Sequence, residues 1–344
     1  MSQDSFADPS LSRRSLITGS LGAAAFGMSA AAVGTGTRAS GADAAGVGSA
    51  VGKPTKKYKM KKSINLWAFP YPQRMALEQC LRLAKDAGFD GIELNYDLDN
   101  DLSPKSDTKR YTEIRKLCES LDLKVSGLCS FLFWPYPLTA EDPAKRARAA
   151  ELAGLMTQCA ADLGTENLLV VPGAVTIPWR DDYPPITPKV CDQRAREAIG
   201  RMIPQAEKLG VSLNIENIFF NGYLMTPSEM ITFVDSFGSD RVKVHFDTGN
   251  IMLYQYPEHW IEMLGPRIKN VHLKEFTTKG TDHSLESFRP LLDGTTHWPE
   301  VLEAFEATNY EGYLTFEYFH PYLHWPEALV YQTSDSLDRM LGRK

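Results

Sequence analysis

VKVHFDTGN, residues Val242–Asn250, alternates and then stops at an acid. Val244 and Phe246 face one way and His245 and Asp247 the other, the period of two that a strand imposes. An apolar outer face with a polar inner face ending in a carboxylate marks a strand that floors a site. Three other stretches repeat the design. VSLNIEN reaches Glu216, NVHLKE carries His272 and YLTFEYF carries Glu317.

Outward from this stretch, strands and helices alternate. SINLWAFP (63–70) predicts a first strand. A helix over 74–87 follows, with Leu77, Cys80, Leu81 and Ala84 on one face. The further strands are GIELNY (91–96), KVSGLCS (124–130), ENLLVVPG (166–173), VSLNIEN (211–217), VKVHFDTGN, IKNVHLKEF (268–276) and YLTFEYF (313–319). Helices are expected over 107–121, 142–163, 189–209, 227 to near 238, 257–264, 298–308 and 326–341. Gly88, Gly164, Gly210 and Gly238 stand where helices should stop. Eight repeated βα units imply a parallel sheet, and their number and length match an α/β closed (β/α)8 barrel, one domain over 58–344. A doubly wound open sheet is the alternative. It would carry a Gly-rich turn after its first strand, and SINLWAFPYP has none.

Residues 1–57 read differently. Ser12-Arg13-Arg14-Ser15-Leu16-Ile17 leads into a Gly/Ala-rich, mildly apolar stretch and then a linker. This resembles a twin-arginine export signal peptide, which implies a periplasmic or extracytoplasmic protein that meets a membrane only through that signal. Small-residue triplets near 30–32 and 42–44 both suit cleavage. The chain has 344 residues, 43% of them hydrophobic and 10% aromatic, enough for a packed core. A net charge of −6 argues against a nucleic-acid partner, which needs a basic surface. Five cysteines without a CxxC pair are neither a disulfide framework nor a zinc knuckle.

In a barrel, strand C-termini meet over one face, where active sites sit. Glu216, Asp247, His272 and Glu317 therefore come from four adjacent strands and are expected to converge on one divalent metal. Taken singly, each also reads as a polar residue of a barrel interior. Three carboxylates and an imidazole suit Mn²⁺ first, or Mg²⁺, with Co²⁺ and Zn²⁺ tolerated. His245, one inward step below Asp247, is read as a bracing or core residue. Trp67, Phe133 and Trp134 suit either an apolar wall behind a sugar ring or ordinary packing. The Pro-rich stretch 177–188 reads as a lid or interface loop.

The motifs IENI, HFDTGN, VHLKE and FEYF resemble those of the xylose-isomerase-like TIM barrel superfamily, which includes sugar phosphate isomerases and epimerases. The resemblance spans nearly all of 60–320. It implies a metal-dependent isomerase or epimerase acting on a keto-sugar or polyol. The implied ligands are Glu216, Asp247, His272 and Glu317, with Glu216 and Glu317 also exchanging the proton. Glu93 and Lys274 match positions near the substrate. The implied chemistry abstracts the proton α to a metal-bound carbonyl through an enediolate, and one glutamate removes what the other returns. Three departures bear on the substrate. Asn250 stands where the familiar epimerases carry histidine, NIFFNGY lacks their second acid, and KEFTTKG lacks their arginine. Asn250 hydrogen-bonds a hydroxyl but is no general acid. The runner-up is a metal-dependent keto-sugar (inosose-type) dehydratase or lyase on the same barrel. A repair nuclease is disfavoured by the negative charge, and a non-catalytic sugar-binding barrel remains a further class. A homodimer is expected only by analogy with similar barrels.

Overall fold

The computed structural model describes residues 56–280 and 283–344. The stretch that carries the expected export signal lies outside the described residues. Eight parallel strands form the barrel wall: β1 Lys61–Asn65, β2 Gly91–Tyr96, β3 Lys124–Ser130, β4 Asn167–Val170, β5 Ser212–Glu216, β6 Val242–Asp247, β7 Ile268–Leu273 and β8 Tyr313–Phe316. They close in the order β1-β8-β7-β6-β5-β4-β3-β2. Closure excludes the open doubly wound alternative. Asp247 lies level with His272, and Glu216 with His245, the steady stagger of a closed barrel.

Helices α1 Leu77–Asp86, α2 Thr108–Ser120, α3 Pro143–Leu163, α4 Pro188–Leu209, α5 Pro227–Asp235, α6 Pro257–Leu264, α7 Trp298–Ala307 and α8 Pro326–Met340 follow the strands in turn. Local chemistry sets their ends. Asp142 accepts from the Ala144 N–H at 2.8 Å before Pro143 opens α3. Thr226 and Glu229 form a reciprocal capping box on α5. Gly164 and Gly210, at φ of 77° and 73°, close α3 and α4 in the left-handed conformation.

The alternation read from the sequence separates two environments. Leu213, Ile215, Val244, Phe246, Val271, Leu273, Leu314 and Phe316 are fully buried members of the apolar core. The opposite faces of the strands carry buried polar residues: Ser63, Asn65, Glu93, Ser126, Asn167, Asn214, His245, Asn270 and Thr315. Many bond one another, as in Ser63 Oγ with Ser126 Oγ at 2.7 Å and Asn214 with Asn167 at 3.1 Å. A polar interior in place of branched aliphatics leaves room for groups that need hydrogen-bond partners.

Two expectations are corrected. The first strand ends at Asn65, not at residue 70. The Asn65 side chain accepts the Trp67 N–H at 2.7 Å and turns the chain into a short 3-10 helix, Leu66–Ala68. The strand expected over 268–276 is broken after Leu273, and Glu275–Phe276 pairs antiparallel with Phe288–Arg289 instead. Buried Glu275 holds this excursion. Its carboxylate accepts from the indole N–H of Trp298, the Thr296 hydroxyl and the Leu292 N–H at 2.6–3.0 Å.

Candidate metal centre

Each residue of the turn after β6 has a task. Asp247 Oδ1 accepts the N–H groups of Gly249 and Asn250 at 2.8 and 2.9 Å, which leaves Oδ2 to point elsewhere. Thr248 Oγ1 accepts the Lys274 N–H at 2.9 Å and donates to the Lys274 carbonyl at 3.0 Å, stitching the turn to the end of β7. Gly249 lies where a Cβ would meet the Lys274 carbonyl at 2.9 Å, so no larger residue fits without a shift. Asn250 donates to the Asn217 carbonyl at 2.9 Å and accepts from Lys274 Nζ at 3.2 Å. Asn217 clamps the strand end reciprocally, through the Asp247 N–H and C=O at 2.9 and 2.8 Å.

This scaffold brings the expected four side chains together. Glu216, Asp247, His272 and Glu317 each offer one ligand atom, all within 4.8 Å of one another, and all four are buried. His272 Nδ1 lies 3.3 Å from Glu216 Oε1, 3.4 Å from Glu317 Oε2 and 4.0 Å from Asp247 Oδ2. Its other nitrogen, Nε2, lies 2.5 Å from Glu93 Oε2. When the ring is neutral, with its one proton on Nε2 facing Glu93, Nδ1 would present its lone pair to a cation among the three carboxylates. A carboxylate behind a histidine in this way fixes the tautomer and orientation of a metal ligand. Glu93 is itself held by Asn65 Nδ2 at 2.6 Å and is wholly buried.

Lys274 also enters the cluster. Its Nζ lies 2.8 Å from Asp247 Oδ2 and in contact with Glu317 Oε2. The rings of Phe288 and Phe319 flank it at 4.9 and 5.1 Å. Neither carboxylate oxygen accepts a well-directed hydrogen bond, so these contacts are ion pairs set by proximity. Four buried carboxyls, counting Glu93, thus face one ammonium and one imidazole.

Charge crowding shows in the titration behaviour. Burial pushes the Glu216 carboxyl up to about 7, against the pull of His272. Burial raises Glu317 too, offset in part by Lys274 and His272. Burial would lower His272, but Glu93, Glu317 and Glu216 outweigh it and raise the ring well above its ordinary value. Lys274 is raised likewise by Asp247 and Glu317, although burial opposes this. Burial, with His272 and Lys274 nearby, lowers His245 far enough to keep it neutral. Among the described residues neither His245 nitrogen has a hydrogen-bond partner, and its ring stands edge-on to that of His272 at 4.1 Å. The donor set fits a divalent cation. It has hard oxygens, an oriented imidazole, two carboxylate oxygens without directed donors, and a surplus of buried carboxyls.

The other sequence candidates lie on the turns that follow the strands and inside the barrel. Trp67 lies in the 3-10 turn after β1 and packs its ring 5.0 Å from that of Phe319. Trp134 caps the 3-10 turn Phe131–Phe133 after β3 and is half-buried against the core. Glu93 lies wholly buried behind His272, against its Nε2. Sequence reading missed Asn217 and the flanking pair Phe288 and Phe319. Asn217 was signalled by its place directly after Glu216. Nothing local signals Phe288, which reaches Lys274 only through the antiparallel excursion.

The chain resembles several known proteins. It is 25% identical over 252 residues to the L-ribulose 3-epimerase of Mesorhizobium japonicum, covering 71% of this chain and 75% of that one. It is 22% identical over 258 residues to the L-ribulose-5-phosphate 3-epimerase UlaE of Shigella flexneri, covering 74% and 86%. A solved D-psicose 3-epimerase superposes with a TM-score of 0.66 at 20% identity, over 82% of this chain and all of the other (100%). The family described as xylose isomerase-like TIM barrel matches residues 81–340, and the chain belongs to it.

Proposed function

We propose that this protein is a divalent-metal-dependent ketose epimerase or isomerase that exchanges the proton α to the substrate carbonyl. One observation carries the reading: the convergence of Glu216, Asp247, His272 and Glu317, in a member of this family whose relatives include ketose 3-epimerases. These four residues would hold the metal, with Mn²⁺ first among the candidates. Bound there, it would supply Lewis-acid polarisation of a carbonyl and a template for the neighbouring hydroxyl.

The protein's own groups do the rest. Glu216 ends β5 and Glu317 directly follows β8, so the two stand at opposite ends of the arc. Either carboxylate can take a proton from one face of the substrate while the other returns it to the opposite face. Glu93 holds His272 from behind. Asp247 is locked by its turn. Trp67, packed on Phe319, offers an apolar wall for the sugar, with Trp134 on the β3 side. The Asn250 amide and Lys274 ammonium supply polar contacts in place of the histidine and arginine of the familiar epimerases.

The test uses the purified protein loaded with Mn²⁺ in D₂O. The panel is L-ribulose, D-psicose, D-tagatose and D-fructose, with L-ribulose 5-phosphate. Deuterium at the carbon next to the carbonyl, together with the epimer or isomer, is the expected outcome. Exchange followed by loss of water would turn the assignment to the lyase. Metal bound with no exchange from any ketose would sink the enzymatic reading.

A further inference from the structure

We propose that Lys274 is a built-in counter-ion, an ammonium that a divalent metal must displace from Asp247 and Glu317. The inference rests on the metal-centre reading above and concerns how this chain manages the charge of that site. Nζ contacts Asp247 Oδ2 at 2.8 Å and touches Glu317 Oε2. These same two oxygens face His272 Nδ1 at 4.0 and 3.4 Å, so they point into the middle of the four-ligand cluster. Among the described residues they accept no directed hydrogen bond from any other group. A metal held by all four ligands would use these oxygens. Two cations on the same two oxygens repel strongly in a buried site. The ammonium therefore leaves when the metal enters.

The surroundings give it somewhere to go. The backbone of Lys274 is fixed by Thr248, through bonds of 2.9 and 3.0 Å, so only the four-carbon side chain can move. Nζ already lies 3.2 Å from Asn250 Oδ1 and between the faces of Phe288 and Phe319. An amide oxygen and two ring faces stabilise an ammonium without a carboxylate. A swing of the side-chain tip toward them keeps the cation solvated by protein. The site thus has two occupied states. With the metal absent, Lys274 offsets part of the buried negative charge. With the metal present, Lys274 waits beside it. The energetic consequence is definite: the wild-type lysine weakens metal binding and stabilises the metal-free fold.

The test compares wild type with Lys274→Met, Lys274→Gln and Lys274→Arg. Each is stripped with chelator and titrated with Mn²⁺ alone by calorimetry, and melting is followed with and without the metal. The Met and Gln variants should bind Mn²⁺ roughly tenfold tighter or more, the scale of removing one like charge beside the ligands. Their metal-free forms should melt below wild type, so the gap between stripped and loaded protein widens. A variant that folds only when Mn²⁺ is supplied shows the same effect at its limit. The Arg variant, which keeps the charge, should not bind more tightly. Unchanged affinity and an unchanged gap in the Met and Gln variants would overturn the counter-ion role while leaving the metal centre standing. Tighter binding by the Arg variant as well would overturn it too, since charge would not be the cause. If no form takes up Mn²⁺, the metal-centre reading falls and the counter-ion falls with it.

Discussion

Two buried lysines sit at opposite ends of the barrel, and their surroundings differ in one respect. Lys62, near the start of β1, is 3% exposed and pairs with Asp338 at 2.7 Å and Ser334 Oγ at 2.8 Å, both on α8. One ammonium meets one carboxylate, and a hydroxyl completes the set. Lys274, just past β7, is equally buried but meets two carboxylates, with a third and a histidine in reach. The first arrangement is closed and ties the first strand to the last helix. The second is left in surplus, and a buried surplus of negative charge is stable only with protons or a cation added. Burial alone does not separate a structural lysine from a functional one. The local charge balance does.

The comparison breaks most visibly at Asp247. Asp247→Asn keeps the Oδ1 acceptor for Gly249 and Asn250 but removes the charge that faces the cluster. Mn²⁺ affinity should fall by more than the ~10–100-fold that losing an outer partner costs, and ketose turnover should fall with it. Circular dichroism should show an intact fold. Retained Mn²⁺ affinity would mean that Asp247 is not a ligand.

The opposite end should answer in stability alone. Lys62→Met leaves Asp338 short of its nearest partner. The cost should be about 2 kcal/mol, below the full cost of a broken buried pair, because Asp338 is partly exposed and keeps Lys344 at 3.4 Å. Denaturant unfolding reads the loss, and calorimetry should find Mn²⁺ affinity unchanged. A change in affinity would remove the distinction between the two lysines.

Glu93 sharpens the same contrast from inside the barrel. Glu93→Gln keeps the shape but weakens the hold on His272 Nε2. Mn²⁺ should bind about tenfold more weakly, the lower end for a partner behind a metal-ligating histidine. An effect on the KM for sugar with metal affinity intact would instead make Glu93 a substrate contact.

Periodicity made the barrel legible. Eight alternating strands with glycine-marked helix ends leave little choice of architecture, and the strand ends place Glu216, Asp247, His272 and Glu317 on one face. Three features stayed hidden for physical reasons. Asn65 ends the first strand by capturing a neighbouring N–H, and a polar residue inside a strand pattern does not announce which way its amide turns. Glu93 and His272 meet across the barrel although 179 residues separate them, and strand-end position does not give depth. Lys274 follows His272 by two residues, so alternation puts it on the same side, but only packing against Phe288 and Phe319 shows that its charge is enclosed.

The same charge balance answers to pH, and the sign follows from the protons the metal-free cluster holds. Glu216 keeps its proton up to about 7, and His272 keeps its proton well above the ordinary imidazole range. Mn²⁺ needs both groups deprotonated. Below 7 each metal ion should release a proton from each, and above 7 mainly the one from His272. A plot of log affinity against pH should therefore rise throughout and become shallower near 7, by up to about tenfold per pH unit for each proton released. Calorimetry in buffers of different ionisation enthalpy counts those protons. Metal-free stability should run the other way. Groups with raised folded values retain protons that the unfolded chain has lost. The Glu216 contribution is complete below its unfolded value of 4.5 and is lost as pH rises through about 7, and that of His272 is complete below 6.5 and is lost as pH rises from there through its raised folded value. His245 opposes them only below 6.5, where the unfolded chain takes up a proton that its buried ring refuses. From 6.5 to 8 the metal-free protein should melt lower as pH rises, and Mn²⁺ should flatten or reverse that slope. A melting point that climbs over this range without metal would mean that the cluster does not hold those protons, and that its negative charge is balanced by something other than a missing cation.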